Sequence, residues 1–211
     1  FTVSKFLIFV LMPVAKEKWS GAGNKDYGWF SGGTPGPISN VYRLDISNDT
    51  SSPLERGHLS LVKYAAGSTG NTSCGYVAGG HDGSNPLSNV DRIDYSNDTA
   101  TAVAKGYLFK IREQLAGVSA QDMALPQGFP QGYVGSYGFG YWANGSEPDK
   151  SYVQRIDYSN DTAITSLRSN TAVALRNRAA NSSSTHGYVC GGENPGATVS
   201  TVDRLDFAND T

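Results

Sequence analysis

The chain has 211 residues, of which 25 are glycine, 12 are tyrosine and only 17% are charged. This length suits one large all-β domain or two small ones, and no linker-like segment divides it. A net charge of −2 offers no excess of cations to phosphate groups, which argues against nucleic acid as a partner. The two cysteines, Cys74 and Cys190, are too few for a disulfide framework and lack zinc-site spacing, so we expect no metal and no cofactor.

The first distinct feature along the chain is an apolar run at residues 6–14. It is about half as long as the roughly 20 residues that a membrane-spanning helix needs, so we expect no membrane insertion. Lys5 before the run and Ala15 after it would also fit a secretory signal peptide. The alternative, favoured by the repeats described next, is a connection between two strands.

Two short strings recur four times. The first, Val-Asp-Arg-Ile-Asp-Tyr-Ser-Asn-Asp-Thr in its second copy, occupies residues 41–50, 90–99, 153–162 and 202–211. The second, Gly-Tyr-Val-Ala-Gly-Gly in its second copy, is assigned to residues 28–33, 75–80, 132–137 and 187–192. Residues 117–132 and 134–153 are longer than their counterparts, and we interpret both excesses as loop insertions. The copies are spaced by 49, 63 and 49 residues, and such a repeat, lengthened in one unit by insertions, indicates a repeat architecture.

Each unit is predicted to contain four short strands, here called a to d. Strand a is small and polar (21–23, 65–68, 116–119 and 179–182), strand b is the second string, and strand c begins the first string. Asn-Asp forms a turn before strand d, as at residues 99–103. Four strands in about 50 residues correspond to one propeller blade. The predicted blades of this single domain are 19–54, 65–104, 115–167, and 178–211 together with 1–5.

This order of strands resembles kelch repeats, in which an apolar strand ends in a double glycine. The third unit departs from the pattern, because Gly135, Ser136 and Tyr137 replace the double glycine. The repeated Asp-Tyr-Ser-Asn-Asp-Thr also resembles repeats in predicted structural proteins of marine tailed phages. The kelch resemblance implies an all-β propeller of four four-stranded blades, the last closed by the N-terminal strand. A fragment of a larger propeller is the alternative.

An arginine and an aspartate two positions apart recur in every unit. The pairs are Arg43 and Asp45, Arg92 and Asp94, Arg155 and Asp157, and Arg204 and Asp206. Residues two apart on a strand share a face, so each pair can bridge to a neighbouring blade or hold a loop. A catalytic centre is needed once per molecule, whereas a packing contact is needed once per blade. Because the pair recurs in every unit, we interpret these residues as structural.

The connections between strands b and c differ most from blade to blade, and they share one face of the propeller with the d-to-a connections. In the third unit this connection is assigned four aromatic residues: Tyr137, Phe139, Tyr141 and Trp142. Aromatic rings flanked by polar groups suit sugar rings, and we expect Tyr141 and Trp142 to be the exposed members. Packing of the insertion onto its blade is the alternative. The predicted ligand-binding residues are Tyr137, Tyr141, Trp142, Asn144, His81, Asp82, Glu193 and Asn194.

The sequence therefore predicts a non-enzymatic recognition or structural propeller. Its expected partner is a glycan or a protein bound on the loop face, in a virion or another extracellular setting, and a homo-oligomer is compatible with the pattern. A kelch-type protein-interaction module is the second hypothesis. A propeller glycosidase is the third, and its two carboxylates would come from Asp82, Glu147, Asp149 and Glu193.

Overall fold

The computed structural model describes residues 11–119, 138–146 and 150–210 as a four-bladed β-propeller of antiparallel sheets, which confirms the predicted fold class. Blade 1 contains β1 (Ser20–Gly23), β2 (Tyr27–Ser31), β3 (Ile38–Asp45) and β4 (Leu54–Lys63). Blade 2 contains β5 (Gly67–Gly70), β6 (Cys74–Ala78), β7 (Asn89–Asp94) and β8 (Val103–Tyr107). Blade 3 contains β9 (Ala116–Ser119), β10 (Phe139–Ala143), β11 (Tyr152–Asp157) and β12 (Ser166–Asn170).

Blade 4 has three strands among the described residues: β13 (Ala179–Ser182), β14 (His186–Cys190) and β17 (Val202–Asp206). A two-stranded hairpin, β15 (Glu193–Asn194) with β16 (Ala197–Thr198), lies between β14 and β17. The N-terminal strand predicted at residues 1–5 to complete this blade lies outside the described residues. So does the string 132–137, which was predicted to be strand b of blade 3.

Strand order follows chain order in every blade, and the first strands of successive blades contact one another along the axis: β1 with β5, β5 with β9, and β9 with β13. The small residues predicted for strand a allow this close approach. A Cβ added to Gly117 would lie 1.9 Å from the carbonyl oxygen of Ser68 in the neighbouring blade. Glycine is therefore required at this point of contact between blades 2 and 3.

Strand b of blade 3 is β10, and this corrects the predicted register. Phe139–Ala143 pairs with β9 and β11 as Cys74–Ala78 pairs with β5 and β7 in blade 2. Phe139, Tyr141 and Trp142, which were assigned to the b-to-c connection, are therefore strand residues. The additional length of this unit falls between β9 and β10, which is an a-to-b connection. Strand d of blade 2 also begins later than predicted, at Val103.

A short 3₁₀ helix follows strand c in the first three blades: Ile46–Asn48, Tyr95–Asn97 and Tyr158–Asn160. The aspartate that ends the strand caps this helix, as Asp94 does by accepting hydrogen bonds from the Ser96 backbone N–H and hydroxyl at 2.9 and 2.7 Å. The Ser96 hydroxyl contributes most to lowering the pKa of Asp94. The repeated aspartate thus holds its own turn and does not pair with the arginine two positions before it.

The same five positions join blade 1 to blade 2, blade 2 to blade 3 and blade 3 to blade 4, and we call this set the interblade clasp. An aromatic residue of strand b, an arginine of strand c and a cation of strand d surround an aspartate from the turn of the next blade, and a ring of that turn packs on the first aromatic residue. The clasps are Trp29, Arg43, Arg56, Tyr95 and Asp98; Tyr76, Arg92, Lys105, Tyr158 and Asp161; and Tyr141, Arg155, Arg168, Phe207 and Asp210.

The first clasp shows the geometry. The carboxylate of Asp98 accepts hydrogen bonds from Trp29 Nε1 at 2.9 Å, Arg43 Nη1 at 3.0 Å and Arg56 Nε at 2.9 Å. Its side chain is only 3% exposed. An apolar cluster lies beside each clasp, so each of these three interfaces combines buried hydrocarbon with a charged aspartate whose hydrogen-bonding capacity is used.

Candidate functional site

One face of the propeller carries the b-to-c and d-to-a connections, and we call it the loop face. In each blade the two connections pair through a short antiparallel bridge: Glu17 with Thr34, Tyr64 with His81, Glu113 with Ser146, and Arg176 with Glu193. Backbone hydrogen bonds of 2.8–3.1 Å hold these bridges. The rigid frame is thus the same in all blades, while the side chains that it presents differ.

A depression of about 160 Å³ lies at the centre of this face. Each blade contributes the two residues that directly precede its strand a, and we call these eight residues the axial ring. They are Lys18, Trp19, Ala65, Ala66, Gln114, Leu115, Asn177 and Arg178. Because four equivalent segments converge here, a single ligand in this depression can contact all four blades.

The first residue of each axial pair has a left-handed backbone, with φ of 56° at Lys18, 53° at Ala65, 58° at Gln114 and 54° at Asn177. This conformation is uncommon for residues other than glycine. It brings successive blades into backbone contact, because Ala65 N donates to Lys18 O at 3.0 Å and Gln114 N donates to Ala65 O at 2.6 Å. The rim of the depression is therefore held by hydrogen bonds between blades.

The side chains around the depression are mixed in character. The Lys18 ammonium lies 5.6 Å from the centre of the Tyr64 ring, which in turn lies 5.3 Å from the His81 ring. Burial raises the pKa of Tyr64 above its ordinary value of 10.0. On the opposite side, Asn177 Nδ2 donates to Glu193 Oε1 at 2.9 Å.

His81 and Asp82, both predicted to bind ligand, shape the b-to-c loop of blade 2. His81 Nδ1 accepts from the backbone N–H of Gly83 at 2.9 Å, and Asp82 Oδ1 accepts from those of Ser84 and Asn85 at 2.7 Å each. The bonds from Asn85 and Ser84 lower the pKa of Asp82. Both residues are partly exposed on the loop face.

Glu193 and Asn194 lie on the same face in blade 4, where they form the strand β15. Glu193 Oε1 accepts hydrogen bonds from Asn177 and also from Arg176 Nε at 3.3 Å. The four predicted residues of blades 2 and 4 therefore belong to the loop face, around the axial ring rather than within it.

Tyr141 and Trp142 are not exposed, so the expectation that they are the exposed members of the aromatic set is wrong. Both are 0% exposed because their strand is β10, between β9 and β11. Tyr141 belongs to the clasp with blade 4, and Trp142 Nε1 donates to Gly67 O at 3.1 Å in blade 2. Packing, the alternative interpretation, accounts for both rings. Tyr137 lies outside the described residues.

Asn144 is also buried, at 0% exposure, and replaces the first glycine of the double glycine in blade 3. Its φ of 61° matches the 64° of Gly79 at the equivalent position, and asparagine tolerates this region better than most residues. Its Nδ2 donates to Thr171 Oγ1 at 2.7 Å, and its Oδ1 accepts from Arg178 Nη1 at 3.2 Å. Asn144 therefore joins blades 3 and 4 and does not reach the loop surface.

Sequence reasoning missed the axial ring. Its members have no common side chain, and the only signal was their position directly before strand a in every unit. The arginines of the Arg/Asp pairs belong to the clasps, with the exception of Arg204, which is exposed. Asp206 caps its own turn by accepting from Ala208 N at 2.9 Å.

Two of the four carboxylates considered for a glycosidase form hydrogen bonds that shape the loop face. Asp82 and Glu193 hold the loop and bridge described above, while Glu147 and Asp149 lie outside the described residues. Within the described ranges, no cluster of three or more His, Cys, Asp or Glu side chains is arranged to hold a metal ion. No helix in those ranges is long and apolar enough to span a membrane.

Comparison with known proteins agrees with this architecture. A family model described as Kelch motif matches residues 76–99, which run from β6 through β7 to the following turn. A solved structure titled "Structure of YjhT" is similar with a TM-score of 0.72 at 14% identity, over 96% of this chain and 66% of that one. This chain therefore spans slightly less than two thirds of that protein, and the likeness concerns the fold alone. No curated protein matches the sequence. The described residues form a four-bladed β-propeller whose second blade matches the Kelch motif.

Proposed function

We propose that this propeller is a non-enzymatic binding module that holds a protein partner on its loop face, centred on the axial ring. The observation that carries the proposal is the convergence of the four blades on one depression, where a common backbone frame presents different side chains. Repeat folds use such surfaces for recognition, because residues on the frame vary without loss of the core. The Kelch motif in blade 2 is in keeping with a module of this kind.

The size of the depression favours a macromolecule over a small metabolite. Pockets that bury a drug-sized ligand usually measure about 300–1,000 Å³, whereas this one has about 160 Å³. Such a depression accommodates one or two protruding side chains of a partner, whose remaining surface rests on the surrounding loops. Lys18 is exposed and has no acidic partner among the described residues, so an acidic side chain of the partner is the best match.

The proposal that the module is non-enzymatic is supported by the carboxylates. A general acid of a glycosidase needs a raised pKa, whereas hydrogen bonds to backbone N–H groups lower the pKa of Asp82. Glu193 is engaged with Arg176 and Asn177. Asp82 therefore lacks the environment of such an acid, and Glu193 is held in the bridge between two connections.

A glycan is the second candidate partner, for a reason different from the one predicted. Trp19 lines the depression and Tyr64 lies at its rim, both half-buried and next to amide and ammonium groups of the axial ring. Aromatic rings beside hydrogen-bonding groups suit sugars. The resemblance of the repeats to tailed-phage structural proteins is the ground for proposing that the module works on a virion or another appendage.

Selection from a displayed peptide library on the immobilised protein tests the proposal, with the same protein applied in parallel to a glycan array. Lys18→Glu reverses a charge at the axial ring, and Lys25→Glu makes the same change in the a-to-b connection on the opposite face. We expect selected peptides to be acidic, to lose at least about tenfold in affinity with Lys18→Glu, and to bind Lys25→Glu normally. Peptides that ignore Lys18→Glu would contradict the proposed site, and glycan binding lost with Lys18→Glu would establish the second candidate instead.

A further inference from the structure

Besides its clasp, the interface between blades 1 and 2 contains a buried ion pair. The side chains of Lys63, at the end of β4, and Asp91, in β7, are 1% and 0% exposed. Lys63 Nζ lies 2.9 Å from Asp91 Oδ2 and donates to Asn89 Oδ1 at 2.9 Å. The charge of the lysine is therefore compensated where water is excluded, as a buried cation requires.

Arg112 is the equivalent of Lys63 between blades 2 and 3. Each lies two residues before the first residue of an axial pair. Lys63 O accepts from the backbone N–H of Gly33 at 2.9 Å, at the end of a double glycine. Arg112 O accepts in the same way from Gly80 at 2.8 Å. Arg112 is 0% exposed, yet no acidic side chain forms an ion pair with it within the described residues.

The carboxylate is replaced by an amide in this interface. Gln154 stands at the position of Asp91, since each directly precedes the clasp arginine of its strand c, and Gln154 is also 0% exposed. Its Oε1 accepts from the Phe109 backbone N–H at 2.7 Å and from Thr165 Oγ1 at 2.5 Å. Because a backbone N–H can only donate, the amide oxygen must face Phe109 and the NH₂ group is turned away from it.

Arg112 and Gln154 together carry three buried donor atoms that have no acceptor in the part of the chain that the structure describes. They are Nε and Nη2 of Arg112 and Nε2 of Gln154. The remaining guanidinium nitrogen is used, because Nη1 donates to Asn144 O at 2.6 Å. Buried donors in native proteins nearly always have a partner, and ordered water or an ion supplies it where the protein does not.

The two side chains meet at the same level of strand c. The Arg112 guanidinium lies 5.5 Å from the centre of the Tyr152 ring, two residues before Gln154 on β11. Tyr152 occupies the position of Asn89, which binds the ammonium of Lys63 in the first interface. Burial lowers the pKa of Arg112 to about 10, so the guanidinium is still a cation at neutral pH.

The interface between blades 3 and 4 has a carboxylate again. Asp203 stands at the position of Asp91 and Gln154, and its Oδ2 accepts from Arg178 Nη1 at 2.5 Å. The side chain of Arg178 is 0% exposed. Within the described residues, the interface between blades 2 and 3 therefore differs from its two neighbours, since it buries a cation beside an amide instead of an acid.

We propose that a small monovalent anion, such as chloride, bromide or nitrate, binds between Arg112 and Gln154 and joins blades 2 and 3. The ion accepts from Nε and Nη2, which form one edge of the guanidinium fork, and from the amide Nε2. It supplies the negative charge that Asp91 supplies in the first interface. Both side chains are fully buried, so the ion binds without its hydration shell, which disfavours sulfate and phosphate. The site is independent of the function proposed for the loop face.

Unfolding of the full chain in sodium bromide and in sodium gluconate of equal ionic strength tests the proposal, because gluconate is too large for the site. Once bromide exceeds its dissociation constant, each tenfold increase should raise the ratio of folded to unfolded protein about tenfold. Gln154→Glu places a carboxylate beside Arg112 and keeps an oxygen for Phe109. This variant should be insensitive to bromide and more stable than the wild type in gluconate.

Lys110→Met is the matched control, since it changes the net charge by the same one unit at an exposed residue of blade 2. It should respond to bromide as the wild type does. Anomalous scattering from wild-type crystals soaked in bromide is a second readout that needs no variant, and it should place the ion within hydrogen-bond distance of Arg112 and Gln154. Equal bromide dependence in Gln154→Glu and the wild type would overturn the proposal. So would unfolding that ignores bromide, because water would then satisfy the three donors.

Discussion

Trp29 lies flat against Tyr95, with ring centroids 3.8 Å apart and planes inclined by 9°, although the two residues belong to different blades. The stack closes over Asp98, which accepts the indole N–H. Tyr76 with Tyr158 and Tyr141 with Phe207 repeat the arrangement at 5.0 and 5.3 Å. The propeller is thus held by three copies of one polar and aromatic contact, and the stability of each copy can be measured separately.

Replacing Asp98 by alanine should destabilise the fold by about 3–5 kcal/mol. The change leaves the guanidinium groups of Arg43 and Arg56 and the indole N–H of Trp29 without their acceptor in a partly buried interface. Chemical denaturation at neutral pH measures the loss. Asp49→Ala is the matched control, because the same turn position is exposed in blade 1. In dilute solution it should change the free energy of unfolding by less than about 0.5 kcal/mol, and equal losses would contradict the role given to the clasp.

The clasps also show what the sequence could predict. The Arg/Asp pairs and the turn aspartates recur at a fixed spacing, so a structural role and the four-bladed fold followed from the repeat. The repeat did not predict that Arg43 binds Asp98 while Asp45 caps a turn. A repeat shows which residues are equivalent, but it does not show which blade each side chain contacts.

The sequence of blade 3 shows why its strand b was predicted at the wrong residues. Gly132, Tyr133 and Val134 match the strand-b string literally, whereas the true strand matches it only if Trp142 stands for valine and Asn144 for glycine. Asn144 is accepted there because asparagine also adopts a positive φ. The axial ring was hidden for a different reason, since its residues share a backbone conformation and a place in space but no side-chain chemistry.

Replacing Trp142 by alanine should cost about 3–5 kcal/mol in the free energy of unfolding. The ring is fully buried in the cluster with Leu108, Leu115 and Ile156, and its truncation leaves a cavity between blades 2 and 3. Thermal and denaturant unfolding measure the loss. Tyr107→Ala, at a residue 55% exposed, should cost less than about 1 kcal/mol. Loss of ligand binding by Trp142→Ala without loss of stability would favour the sugar-binding interpretation of this residue again.

Gly117→Ala should destabilise the protein by about 1–3 kcal/mol. The new Cβ would lie 1.9 Å from Ser68 O and push blades 2 and 3 apart. Gly21→Ala makes the same change at the equivalent position of blade 1, where the nearest atom is Phe30 Cδ1 at 4.0 Å. That variant should unfold within about 0.5 kcal/mol of the wild type in dilute solution. If both variants unfold alike, strand a does not lie against its neighbour as described.

Alkaline pH should unfold the propeller through its buried tyrosines. Burial raises the pKa of Tyr76, Tyr95, Tyr141 and Tyr158 far above the ordinary value of 10.0. Above pH 10 the unfolded chain therefore releases protons that the folded chain keeps. Stability is fully present below pH 10, and above it each tyrosine removes about 1.4 kcal/mol per pH unit.

Denaturant unfolding at pH values from neutral to about 11, with the absorbance of tyrosinate as a second readout, measures this loss. Tyr158→Phe should make the decline above pH 10 less steep, because the unfolded chain then has one fewer proton to release. Phenylalanine fits this position, since Phe207 occupies it in blade 4. At neutral pH the variant should be somewhat less stable, as it lacks the hydroxyl that donates to Gly70 O at 2.9 Å. Tyr107→Phe, at an exposed ring, should leave the slope unchanged. Exposed tyrosines ionise near pH 10 in the folded protein as well, so the outcome that would contradict the clasp is folded-state tyrosinate absorbance near pH 10 that decreases in Tyr158→Phe.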